Sequence, residues 1–138
     1  MVTLILGKKG SGKTKRLIEM CNAATAASKG NVVFIEKDST STYDVSHQAR
    51  LVAADSYGVQ GFDAFYGFIA GMCARDYDIT DIFVDSTRKI GGMDLEALAP
   101  FVEKLDALSK KDEINLVLSV SADKSEIPAQ IAELAKEI

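Results

Sequence analysis

Eight residues near the start of the chain, Gly7-Lys8-Lys9-Gly10-Ser11-Gly12-Lys13-Thr14, have the types and spacing to hold a phosphate group. They satisfy the pattern GxxxxGK(S/T) in full. Glycines let backbone N–H groups converge on phosphate oxygens, and a helix starting just after them adds the positive end of its dipole. Lys13 would reach the β- and γ-phosphates as a flexible point charge, and the Thr14 hydroxyl would ligate magnesium. The expected ligand of this stretch is therefore a nucleoside triphosphate, cradled by Gly7, Lys8, Lys9, Gly10, Ser11, Gly12, Lys13 and Thr14 together with Mg2+.

A loop of this kind calls for a second group, an Asp that closes an apolar strand at the same edge of the sheet. Ile82-Phe83-Val84-Asp85 supplies it. In a parallel sheet the C-terminal ends of the strands share the edge where the phosphate loop begins, so Asp85 is expected beside the hydrated metal. Asp81, at the other end of that strand, reads as a solvated strand start. Two more acids, Glu36 and Asp38, end the run "NVVFIEKD". They are candidates to position or deprotonate an attacking water, the plain alternative being solvated turn residues. Of the arginines outside the loop, Arg50, Arg75 and Arg88, the last lies just beyond Asp85 and is the first candidate for a charge-stabilising finger across a subunit contact.

The elements that must carry these residues follow from short apolar runs alternating with amphipathic stretches. "VTLIL" (2–6) reads as a central strand, and Leu17, Ile18, Cys21 and Ala24 keep helical spacing until "SKGN" stops the helix. "NVVFIEKD" is a second strand. Residues 39–61 read as a loop with a short strand near "RLVA". Phe62, Phe65, Ile69 and Met72 mark an apolar helix, "DIFVDS" (81–86) a third buried strand and "INLVLSVS" (114–121) a fourth. Leu95, Leu98, Val102, Leu105 and Leu108 share a helical face that Pro100 interrupts, so either the helix kinks or a new one starts at Pro100. Over the last residues Ser125 is the expected N-cap of a helix presenting Ile127, Ile131, Leu134 and Ile138. The chain reads as one domain, 1–138, an α/β three-layer αβα sandwich on a mostly parallel sheet.

Composition narrows the partners. With 138 residues, 47% hydrophobic and 26% charged, and a net charge of -4, the chain has the profile of a globular domain without the basic footprint of a nucleic-acid binder. Attraction for anions must be local, as in the cluster Lys8, Lys9, Lys13, Lys15 and Arg16. Cys21 and Cys73 sit at helical spacing and read as buried free thiols, and His47 stands without Cys or His at ligand spacing. The first apolar run is too short for a membrane span and lacks the basic flank of a signal peptide, so a cytoplasmic location is expected.

Together "GKKGSGKT", "FIEKD", "FVDS" and "LVLSVS" resemble the core of RecA-like P-loop NTPases, and the chain is similar to small uncharacterised bacterial ATP-binding proteins. The resemblance implies ATP as the nucleotide. It also implies a strand order in which the fourth strand lies between the P-loop strand and the Asp85 strand. Asp38 matches the place of a catalytic acid, with Glu36 as the alternative, and Ser119 or Ser121 matches a γ-phosphate sensor. Ser86 stands where many such ATPases carry a catalytic Glu directly after the metal-associated Asp. The expected function is Mg-dependent ATP binding with slow hydrolysis, stimulated by a protein partner or by a homo-oligomer. Two alternatives stand beside it. One is a small-molecule kinase, since the arrangement also resembles that of thymidine kinases although their zinc-binding cysteine lid is missing here. The other is a nucleotide-gated interaction module using Phe62, Phe65, Tyr66 and Phe68.

Overall fold

The apolar runs become strands where their β-branched content favours them. In the computed structural model, which describes residues 1–39 and 44–138, the strands are β1 (Val2–Gly7), β2 (Asn31–Glu36), β3 (Ala49–Ala53), β4 (Ile79–Val84) and β5 (Asn115–Ser121). Between them run α1 (Lys13–Ala27), α2 (Phe62–Arg75), α3 (Thr87–Gly91) and α4 (Leu95–Asp112). A helix α5 (Ala129–Leu134) and a two-residue strand β6 (Lys136–Glu137) follow. The start of the expected 39–61 loop falls partly on residues 40–43, outside the described residues, and the short strand expected near "RLVA" is β3.

The sheet order is β3-β2-β4-β5-β1-β6, with every strand pair parallel. Thus β5 lies between the glycine-loop strand β1 and the Asp85 strand β4, as expected. Successive side chains of a strand face opposite layers. Ile82 and Val84 therefore join Phe65, Ile69, Leu98, Val102 and Leu105 under α2 and α4, while Phe83 joins Leu17, Cys21, Phe34 and Val117 under α1. The result is a three-layer α/β sandwich. Both cysteines are free and buried, and burial pushes the thiols up to about 12 for Cys21 and about 11 for Cys73. Among the described residues no helix is long and apolar enough to cross a membrane.

Two local expectations need correction. No new helix starts at Pro100, because α4 runs unbroken through it from its cap at Asp94, whose side chain accepts from Glu96 N at 3.0 Å. Pro100 and Glu96 are both exposed, so the carbonyl that lacks a proline donor can turn to water. At the other site Ser125 is not an N-cap. Asp123 caps a short turn, accepting from Ser125 N at 3.0 Å while its own N–H donates to Glu126 Oε1 at 2.9 Å. Pro128 disfavours helical backbone at Ile127, so the helix cannot start before it. Beyond α5 the chain extends, and Ile138 exchanges backbone hydrogen bonds with Leu4 and Leu6 along the edge of β1.

Candidate functional site

β1 delivers the glycine loop to the C-terminal edge of the sheet, and α1 begins at Lys13. Gly10 and Gly12 have φ of +83° and +86°, the left-handed region that favours glycine. A Cβ at Gly7 would collide with Ser11 Oγ. Gly12 offers no side chain to cap α1, so the first-turn N–H groups are left for a ligand. Lys13 Nζ folds back over the loop and donates to Lys8 O at 2.8 Å. Burial lowers its pKa, an effect that the nearby Asp85 carboxylate opposes.

Asp85 arrives at the same edge from β4, 8% exposed. Thr14 Oγ1 donates to it, 3.0 Å from Oδ1 and 3.1 Å from Oδ2, across 71 residues of sequence. Ser119, 1% exposed on β5, also donates to Asp85 Oδ1 at 3.0 Å, and its oxygen accepts from Ser86 N at 2.7 Å. Two strands, β4 and β5, and the first turn of α1 are thereby joined through one carboxylate. Ser86 itself is a non-glycine residue in the left-handed region, with φ 54° and ψ 52°.

A cavity of about 750 Å³ opens over these groups, and both Ser119 and Ser121 line it. Arg88 lines it too, but its guanidinium is held inside its own chain. Nη1 donates to Ser121 O at 2.6 Å and Nη2 to Met93 O. The Arg88 guanidinium thus lies at the edge of the glycine-loop cavity, on hydrogen bonds within its own chain. Arg50 and Arg75 are at the far end of the sheet, in a groove that includes Asn31 and Ile79, the first residues of β2 and β4.

The two candidate acids part company. Asp38 is exposed and stands with the Lys37–Asp55 ion pair, whose N–O distance is 3.1 Å, outside the cavity lining. Glu36 is 3% exposed. It follows Ile35, the register partner of Val84, and so is the β2 residue level with Asp85. The sequence reading missed Met93, Ala122, Asp123 and Glu126, which extend the cavity past the glycine loop. Ala122, Asp123 and Glu126 lie past the end of β5 and Met93 past α3, and the C-terminal edge of an open parallel sheet is where ligands bind. That topological rule was the available signal.

Among the described residues no three or more His, Cys, Asp or Glu side chains are grouped to hold a metal alone. Mg2+ usually takes one or two protein oxygens and completes its shell with water and phosphate. A hydroxyl and a carboxylate, Thr14 and Asp85, fit that donor set. No protein-family model matches the chain, and no curated protein matches it at a significant level.

Proposed function

We propose that this chain binds a nucleoside triphosphate, ATP in the first instance, with Mg2+, and that it hydrolyses the nucleotide slowly unless a partner or a second copy completes the site. The observation that carries this reading is the meeting of Thr14 and Asp85 at 3.0 and 3.1 Å at the foot of a glycine loop. Positive-φ glycines and an uncapped helix start supply N–H donors for the phosphates, and Lys13 supplies the mobile charge. Slow turnover is supported by the acids. Glu36 is buried at the level of Asp85 and Asp38 lies outside the cavity, while Ser86 occupies the position after Asp85. Ser119 couples Asp85 to the Ser86 backbone, which supports Ser119, with its neighbour Ser121, as the group that registers the γ-phosphate. The core P-loop NTPase assignment and the RecA-like reading of the strand order belong to this proposal.

Calorimetry with ATP, with and without magnesium, tests it, followed by phosphate release. Affinity that is indifferent to both magnesium and Lys13→Ala removes the assignment. A second reading, phosphoryl transfer to a small acceptor, is favoured by the extension of the cavity to Met93, Ala122 and Glu126. An acceptor screen in which phosphate goes only to water eliminates it. The gated-interaction reading is weaker, because Phe62 and Phe65 are spent on Phe101, with ring centroids 5.0 and 5.3 Å away.

A further inference from the structure

At the opposite end of the same strands, a groove of about 380 Å³ lies between α2 and the β3 edge of the sheet. Its volume falls in the range of small-ligand sites, about 300–1,000 Å³. The lining is largely apolar, with Val33, Val52 and Ile79 from the sheet and Phe68 and Met72 from α2. Tyr57, 59% exposed, stands over it with its ring 5.8 Å from that of Phe68. An aromatic this exposed beside an apolar lining leaves hydrophobic surface in water that a ligand would cover.

Two guanidinium groups border the groove, Arg50 and Arg75. Among the described residues the ion pairs are Lys37–Asp55, Lys104–Asp63 and Lys110–Asp106, so neither arginine is neutralised by one. Arg50 reaches the Tyr57 hydroxyl at 3.5 Å. The one acid in the lining, Asp76, has its oxygens engaged, accepting from Asn31 Nδ2 at 2.8 Å and from Asp78 N at 2.9 Å. On a chain of net charge -4, two cations beside an apolar lining complement an anion carried on an apolar body.

We propose that this groove is a second binding site, for a small amphipathic carboxylate. Its aromatic ring or short acyl chain lies against Phe68, Met72 and Val52, and its carboxylate is held by Arg50 and Arg75. A polyphosphate is the poorer match, because the groove has no glycine loop and its lining is mostly hydrocarbon. An amine or a neutral hydrocarbon leaves the two arginines uncompensated. The site shares no lining residue with the phosphate cavity, so it stands or falls independently of the nucleotide reading.

The chain contains no tryptophan, so Tyr57→Trp places a single, selectively excitable tryptophan at the rim. Octanoate is the probe. Saturable blue-shifted emission is expected, with octanol and octylamine at least about tenfold weaker, and with Arg50→Met combined with Arg75→Met costing at least about tenfold in octanoate affinity. Amide NMR shifts on the unaltered chain, concentrated in β3 and the second half of α2, provide the same reading without the tryptophan. Equal binding of octanoate and octanol overturns the proposal, as does octanoate binding indifferent to the double variant, or the absence of saturable change in both measurements. A short acidic peptide that displaces octanoate and binds more tightly also overturns it, since the occupant would then be an extended chain.

Discussion

The two ends of the sheet are built from the same strands and carry opposite chemistry. At the C-terminal ends long charged side chains, Lys13 and Arg88 among them, surround short buried polar ones that are tied together. Asp85 receives Thr14 and Ser119, and Ser119 receives the Ser86 backbone. At the N-terminal ends the groove is apolar and bordered by two arginines outside any ion pair among the described residues. The difference follows from direction. At the C-terminal edge the loops leaving β1 and β4 lead into the starts of α1 and α3, and unbonded N–H groups at a helix start favour anions and hydroxyls. The N-terminal edge instead receives helix ends, whose carbonyls favour cations, and Arg75 occupies the last turn of α2. One end thus presents backbone N–H groups beside Lys13, the other two arginines beside hydrocarbon.

The largest expected effect separates the two ends outright. Lys13→Ala should weaken triphosphate binding by about 100-fold, since charge-assisted hydrogen bonds contribute about 1.5–3 kcal/mol each, and should leave octanoate binding in the groove unchanged. The same lysine predicts a pH dependence. Its folded pKa is lowered from 10.5 by burial, so in the empty protein the ammonium is lost at a lower pH than for an ordinary lysine. The phosphate favours the charged form, so binding takes up a proton in that window. Affinity should fall as pH rises through the lowered value, and the Ala variant should lack that fall, as titration calorimetry in two buffers of different ionisation enthalpy would reveal.

Next in size is a change confined to the N-terminal edge. A Cβ at Gly30 would run into the Asp78 carbonyl and the Thr80 side chain, and the carbonyl belongs to backbone that cannot swing aside. Gly30→Ala should therefore destabilise by about 1–3 kcal/mol, the usual range for overpacking, measured by urea unfolding. Nucleotide affinity in the remaining folded protein should be within about twofold of the parent. A loss of ATP affinity matching the loss of stability would mean that the two ends are not separable. A third change tests the metal. Thr14→Val removes the hydroxyl that Asp85 receives and that would face magnesium, and it should lower magnesium-dependent affinity by about tenfold, the worth of one charge-assisted hydrogen bond. Affinity measured without magnesium should change less.

How much of this could be read from residues alone differs between the ends for a physical reason. The glycine loop and Asp85 were legible because local backbone chemistry dictates them. Only glycine adopts the conformations of Gly10 and Gly12 cheaply, and "IFVD" is a buried strand with a carboxylate at its exit. The interleaving of β5 between β1 and β4 came from the resemblance, since hydrophobic pattern cannot order parallel strands. The groove was illegible because its walls are far apart in sequence, Val33, Val52 and Phe68 meeting only after the sheet forms. The arginines divide in the same way: Arg88, just beyond Asp85, was legible as a residue of the glycine-loop edge, whereas Arg50 in β3 and Arg75 at the end of α2 meet in the groove only after folding. At 125–138 the error was local. Apolar spacing suggested one helix, and Pro128 together with the Asp123 cap outweighed it.

The smallest predicted effect sits at the junction between Asp85 and α3 and has the opposite sign to the others. Ser86 holds φ 54° and ψ 52°, a conformation that costs a residue with a Cβ about 1–2 kcal/mol. Glycine would remove that strain but would gain freedom in the unfolded chain worth about 0.4–1 kcal/mol. The contact that fixes this turn is made by the backbone, Ser86 N to Ser119 Oγ at 2.7 Å, and glycine retains it. The balance favours glycine, so Ser86→Gly should stabilise the fold by about 0.5–1 kcal/mol, read as a raised midpoint in urea. A lower midpoint would mean that the Ser86 hydroxyl contributes more than the strain costs. If magnesium-dependent ATP affinity stays within about twofold while stability rises, the serine side chain is not needed for holding the nucleotide. A phosphate-release rate that falls in the same variant would then assign the hydroxyl to cleavage, at the position where many of the ATPases that the sequence resembles place a carboxylate.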